Sequence, residues 1–424
     1  TPSAYTESIY KRWFKQLQKA DAALHRSEEA FVRSTMPEIT VGALPEPTCF
    51  KNGPDALAFL PKHVMQFMTD PLKASHWLKY TAKVSERTIC IHIVHYQGES
   101  GESEPVDGGA STPESKGLPL HWLKQYRAHV YKMYAWFHFI APYVKACDCS
   151  KELNVYFYFT PFKKELPTRT GTVIGAMHSN TGFTTSCGAN LSKNGGKTHT
   201  EIIIYRYEEF FKALLHETMH NLELDFGYET DDTTVDHLFP GIRHGIILSE
   251  TYAETWARLL NIAFYCHYDI LGSSGSYAAY RTAVQRCMAA ERVFSLYQAN
   301  RLLVHMGLTM RQVLSADATT ASLVSSRYDE DTNAFAYYVL GGLAMFEADL
   351  FLRWCSDTNR HNLIRANTGS AGADALLLFI ELVVSRNDEG AGATAGATAG
   401  AIADAVDVVA RIPKVSQTAR MTLW

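Results

Sequence analysis

Two periods divide the hydrophobic positions of this chain. Near the N-terminus Ile9, Trp13, Phe14, Leu17, Ala20, Ala23 and Leu24 recur every three or four residues, so Ser8–Ser34 reads as a long amphipathic helix. Pro45-Glu46-Pro47 interrupts regular structure beyond it, and a shorter helix over Asp55–Met68 leads into a polar joint. β-Branched and aromatic runs then predict strands at Arg87–Tyr96, Asn154–Phe162 and Glu201–Arg206, with Thr170–Thr185 as a further extended segment. Leu118–Val144, between the first two strands, has the length and spacing of a helix that backs a sheet. Gly98–Gly117, rich in Gly, Ser, Glu and Pro, has too few apolar residues for a core and reads as a surface loop.

Past Arg206 the helical period takes over. Phe210, Phe211, Leu214, Leu215, Met219 and Leu222 form one apolar stripe, and Trp256, Leu259 and Leu260 carry another helix that opens at Ser249. Further helices are expected over Ser276–Met306, Thr309–Ala316, Thr332–Asp357 and Ala373–Arg386, while the Gly/Ala/Thr segment 389–403 reads as a linker. The fold class is therefore α+β, a small mixed sheet with helices followed by an all-helical half. The expected regions are 1–86, N-terminal and helical; 87–226, carrying the sheet; and 227–424, helical.

Within the first apolar stripe lies His216-Glu217-Thr218-Met219-His220. On a helix His216 and His220 leave one face a single turn apart, so both imidazoles can hold one Zn²⁺, with Glu217 beside the metal as general base. A catalytic zinc usually takes three protein ligands and leaves a fourth position for water. Thirty residues further on, Ser249-Glu250-Thr251-Tyr252-Ala253-Glu254 places Glu250 and Glu254 at i and i+4. Asp225, Glu229, Asp232, Asp236, His237 and His244 lie between the two segments and are alternative ligands.

This pair of segments resembles the gluzincin zinc peptidases, in which a second helix supplies a glutamate ligand. Metzincins are excluded, because Glu223 and Phe226 stand where their glycine and third histidine belong. The order of strands and helices from Arg87 to Leu260 is also similar to the gluzincin upper subdomain, which implies a zincin-like sheet with backing and active-site helices. Carried over residue by residue, the resemblance implies Glu250 as third ligand and Glu254 as the carboxylate that orients His220. It implies an edge strand at Met177–Ser186, with Asn180 and Gly182 near a peptide or protein substrate bound by strand addition. It also implies a hydrogen-bond donor to the oxyanion from the helical half, for which Tyr337 is the candidate and Tyr338 the next. The Asn180-x-Gly182-Phe183-Thr184 segment and the Tyr337-Tyr338 helix are similar to metallopeptidase-like proteins of large DNA viruses, which implies a virion or host-cytoplasmic location. The activity implied is hydrolysis of peptide bonds by a zinc-activated water. A metallopeptidase-fold assembly protein, or a zinc-binding interaction module with a retained site, is the alternative.

Composition narrows the partners. The chain has 424 residues, 46% of them hydrophobic and 20% charged, enough to bury a large core. Its net charge of −4, without a long basic block, gives no sign of a nucleic-acid partner. No apolar run reaches the length of a membrane span. No signal-peptide pattern follows Thr1. Eight cysteines without paired spacing favour a reducing, intracellular setting, and no C-x-x-C pair accompanies Cys147-x-Cys149. No pattern fixes an oligomeric state.

Overall fold

Central β-branched runs that must be covered on both faces need helices on both sides, and the chain supplies them. The computed structural model describes residues 2–25, 36–51, 59–96, 116–144, 151–184, 199–227, 238–272, 275–385 and 419–423, apart from 244, 316, 360–362 and 368–369. Six strands, β1 (Glu38–Val41), β2 (Ala74–Val84), β3 (Arg87–Tyr96), β4 (Glu152–Thr160), β5 (Gly182–Thr184) and β6 (His199–Arg206), form one open mixed sheet ordered β1-β2-β3-β4-β6-β5. β3, β4 and β6 are parallel, with Ile91 opposite Val155 and Val155 opposite Ile202, whereas β1, β2 and the edge strand β5 pair antiparallel.

The helices are α1 (Ala4–His25), α2 (Lys62–Met68), α3 (Leu120–Ile140), α4 (Ala176–Ser179), α5 (Phe210–Asn221), α6 (Leu248–Phe264), α7 (Tyr277–His305), α8 (Met310–Val313), α9 (Ala318–Arg327), α10 (Gly341–Phe346), α11 (Ala348–Thr358) and α12 (Ser370–Ser385). Strand alternation sorts the sheet's side chains between two clusters. Leu153, Val155, Phe157, Ile202 and Ile204 join the main core with α1, α3, α5 and α6. Tyr156, Tyr158, Ile203 and Tyr205 pack on the opposite face with Val64, Phe67 and Met68 of α2. All 17 residues of α6 are buried, so this helix is the axis around which the helical half packs.

Several expectations are corrected. The polar joint before Arg87 is β2, whose His76, Leu78 and Tyr80 alternate as buried positions, and the boundary expected at residue 86 falls within a hairpin in which Val84 pairs with Arg87. The N-terminal helix is described to His25, and the second helix begins at Lys62. The extended segment Thr170–Thr185 contains the short α4, and only Gly182–Thr184 is strand. The helix expected over Thr332–Asp357 is a π-helical stretch, Phe335–Leu340, followed by α10 and α11, with a 93° bend between Phe335–Phe346 and Ala348–Thr358. α9, capped by the Asp317 side chain, has no counterpart among the expected helices. Residues 98–115 of the expected loop, Cys147-x-Cys149 and the Gly/Ala/Thr segment lie outside the described residues. Among the described residues five cysteines are free and buried, and no single helix is long and apolar enough to cross a membrane.

Candidate metal centre

α5 is bounded by two residues in left-handed backbone conformation. Glu209, at φ 60, starts the helix, and Glu223, at φ 53, ends it. At the C-terminal end Leu224 N–H bonds Met219 C=O at 2.9 Å and Glu223 N–H bonds His220 C=O at 3.2 Å, the double turn that commonly closes a helix around glycine. Here glutamate occupies it, and the chain turns back tightly enough to bring Asp225 onto the helix.

The helical spacing delivers its imidazoles as expected. His216 Nε2 and His220 Nε2 lie 3.1 Å apart, and Glu250 Oε2, from the first turn of α6, lies 3.0 Å from the first and 3.1 Å from the second. The three residues are buried, and their ligand atoms converge closely enough to hold one metal ion. A tetrahedral Zn²⁺ site with bonds of about 2.0–2.1 Å has ligand edges of about 3.3–3.4 Å, so small outward shifts suit the triangle to that ion. Two ring nitrogens and a carboxylate aimed at one point are the donor set of such a site.

Each ligand has its own support. His220 Nδ1 meets Asp225 Oδ2 in a short contact. His216 Nδ1 stands 3.2 Å from Glu254 Oε2, off the line of a good hydrogen bond. Asn333 Nδ2 donates to Glu250 Oε1 at 3.4 Å. The expectation that Glu254 orients His220 is thus corrected: Glu254 backs His216, and Asp225 backs His220, because the left-handed turn at Glu223 brings the latter pair together. Asp225, a candidate ligand by its position in the chain, acts instead as that support. Glu229, Asp232, Asp236, His237 and His244 lie outside the described residues.

Glu254 is itself held by Lys212 Nζ at 2.7 Å and Arg258 Nε at 2.9 Å. Burial opposes its charge, but Lys212 and Arg258 prevail and hold its carboxyl well below the usual range. Burial also opposes the charge of Glu250, and the two imidazoles overcome it and lower its pKa. Glu217 differs: burial outweighs the nearby histidines and raises its carboxyl above the usual range. Lys212 and Arg258 are not among the residues that the sequence pattern singles out, although Arg258 stands one helical turn from the Glu254 that it holds.

Tyr337 and Tyr338 separate cleanly. The Tyr337 ring lies 5.7 Å from that of His216 and lines the cavity at the site, while Arg258 Nη2 donates to its main-chain oxygen at 2.9 Å. Tyr338 is core, its hydroxyl bonding Ala419 C=O at 2.5 Å. On the sheet side, Asn180 and Gly182 both line the cavity. Asn180 is committed to the fold: its Oδ1 accepts from Ser179 and Thr332, and its main-chain oxygen accepts from Arg206. Gly182 cannot be larger, since a Cβ there would come within 2.6 Å of Ile203 O and 3.5 Å of Glu217 Cγ. The edge strand is thereby packed close to the helix that carries Glu217. The cavity itself holds only about 30 Å³, room for a water or two, given that one water needs roughly 10–15 Å³.

No protein-family model, curated protein or solved structure matches the chain.

Proposed function

We propose that this protein is a gluzincin-like zinc peptidase that hydrolyses peptide bonds. The observation that carries the reading is the convergence of His216 Nε2, His220 Nε2 and Glu250 Oε2 on one point, each ligand with a polar partner behind it. His216, His220 and Glu250 hold the ion. Zn²⁺ bound there supplies Lewis acidity, lowering the pKa of a water and polarising a peptide carbonyl. Glu217 takes a proton from the attacking water and delivers it to the leaving amine. The Tyr337 phenol donates a hydrogen bond to the carbonyl oxygen as negative charge develops on it. Asp225 and Glu254 fix the imidazole orientations, and β5, at the edge of the sheet beside Glu217, offers main-chain groups to an extended peptide or protein substrate.

The test is metal analysis of the purified chain, joined to cleavage of a peptide library before and after chelation. One zinc per chain, with cleavage that disappears on chelation and returns with Zn²⁺, is expected; cleavage indifferent to chelation overturns the reading. The small volume of the cavity, about 30 Å³, favours a second reading, a peptidase-fold assembly protein with a retained metal. Stoichiometric zinc in a chain that cleaves nothing in the library supports that reading.

A further inference from the structure

The cavity at the metal centre is small because the chain itself fills the space beside it. Residues 419–423 return after 386–418 as an irregular segment threaded among buried polar groups. Ala419 N–H bonds Lys164 C=O at 2.7 Å, and Ala419 C=O accepts from Tyr338. Met421 and Thr422 N–H both donate to Glu209 Oε1 at 2.7 Å, while Leu423 N–H and the Thr422 hydroxyl donate to Glu291 Oε2 at 3.0 Å. Gln298 Nε2 donates to Arg420 C=O at 2.7 Å. Main-chain groups thus supply all but one of these bonds, so the grip on the segment depends little on its side chains.

Besides the Thr422 hydroxyl, the Met421 side chain also takes part. Met421 is buried, and its sulfur lies 3.4 Å from Lys212 Nζ. It forms part of the cavity wall with Ala213, His216 and Glu217, one helical turn from the metal triad. Its neighbour Arg420 lines a second cavity of about 550 Å³, walled by Tyr207, Phe210, Phe211 and Tyr265, and Lys212 lines both spaces. The segment therefore stands between the metal centre and a volume in the range of ordinary ligand sites, about 300–1,000 Å³.

We propose that residues 419–423 are a built-in occupant of the peptide-binding groove, and that a peptide substrate takes the same place with a methionine- or leucine-like side chain in the Met421 position. This rests on the peptidase reading above and names its substrate class. Because the segment is part of the same chain, a competing peptide meets an already filled groove.

The test frees the segment without removing it. A recognition sequence for a site-specific protease is placed within 389–403, the protein is cut there, and uptake of the labelled hexapeptide Ala-Arg-Met-Thr-Leu-Trp is followed by fluorescence anisotropy, with metal content and circular dichroism on the same sample. The cut protein should bind the hexapeptide saturably and at least tenfold more tightly than the uncut protein. The hexapeptide carrying Met421→Asp should bind at least tenfold more weakly than the unaltered one. Unrelated peptides with Met or Leu in the third position should compete. A cut protein that stays folded and takes up no hexapeptide, one that unfolds when the segment leaves, or uptake that no unrelated peptide competes makes the segment a permanent part of the core and overturns the proposal. Competed uptake without hydrolysis of any library peptide keeps the groove and removes the peptidase reading, and hydrolysis without uptake does the reverse.

Discussion

The two ends of α5 carry buried charge in opposite ways. At the N-terminal end cations and carboxylates answer one another: Lys164 with Glu209 at 2.8 Å, and Lys212 with Arg258 around Glu254 at 2.7 and 2.9 Å. At the C-terminal end His216, His220 and Glu250 crowd within 3.0–3.1 Å, two of the three being bases that are neutral when they bind metal. The first arrangement is complete as it stands. The second leaves three ligand atoms converging on one point, an arrangement that a cation would complete, and that contrast separates an ion cluster satisfied within the chain from a candidate metal centre made of similar residues.

The largest expected effects test this contrast directly. Glu250→Ala should abolish stoichiometric zinc binding, whereas Lys164→Ala at the other end should leave zinc in place and cost about 3 kcal/mol of stability by taking the ammonium from Glu209, which keeps its Met421 and Thr422 N–H donors. Metal analysis after dialysis and denaturant unfolding read the two outcomes, and zinc surviving in Glu250→Ala would remove that residue from the ligand set. Glu217→Gln keeps the shape and loses the base, so it should lower kcat by about 10²–10⁴ with zinc unchanged. Wild-type turnover in that variant would end the general-base assignment.

Next in size is the tyrosine pair. Tyr337→Phe should reduce kcat about a hundredfold with little change in KM, since its hydrogen bond strengthens only as the oxyanion forms. Tyr338→Phe should leave kcat alone and cost about 1 kcal/mol of stability through the unanswered Ala419 carbonyl. If steady-state kinetics exchange these two behaviours, the wrong ring has been assigned to the site. Asp225→Asn and Glu254→Gln should each weaken zinc affinity by about 10–100-fold, measured by competition with a chelator. An unchanged affinity in Asp225→Asn would return His220 to another partner. The smallest effect belongs to the helix end, where Glu223→Gly should stabilise the chain by about 1 kcal/mol, because a left-handed residue with a Cβ is strained by roughly 1–2 kcal/mol and glycine gives back part of that gain as unfolded-state entropy. Lower stability in Glu223→Gly would show that its side chain is needed there.

What the sequence made legible was local. The convergence of His216, His220 and Glu250 and the strands β3, β4 and β6 follow from spacing within one element or from order along the chain. The supports were not local. Asp225 reaches His220 only through the turn at Glu223, and the pattern that favours glycine at such a turn offered no sign of it. Glu254 sits one turn beyond Glu250, yet which histidine it backs depends on how α6 crosses α5. β2 did carry a signal, since His76, Leu78 and Tyr80 alternate, but His76 and Lys79 made it read as polar. The burial of 419–423 left no trace at all in the sequence, because main-chain groups satisfy most of its bonds.

The division of the ligands between α5 and α6 also has a mechanical side. His220 and Glu250 are 30 residues apart, so an ion shared by them is a cross-link that closes a loop of that length. By the chain-entropy relation used for disulfides, such a closure is worth about 3–4 kcal/mol, reduced by any hold the unfolded chain keeps on the metal. Each tenfold rise in free zinc above the dissociation constant then adds about 1.4 kcal/mol to the folded state. A chain that holds zinc there would melt at a temperature that rises with zinc supply, a readout independent of any peptide cleavage.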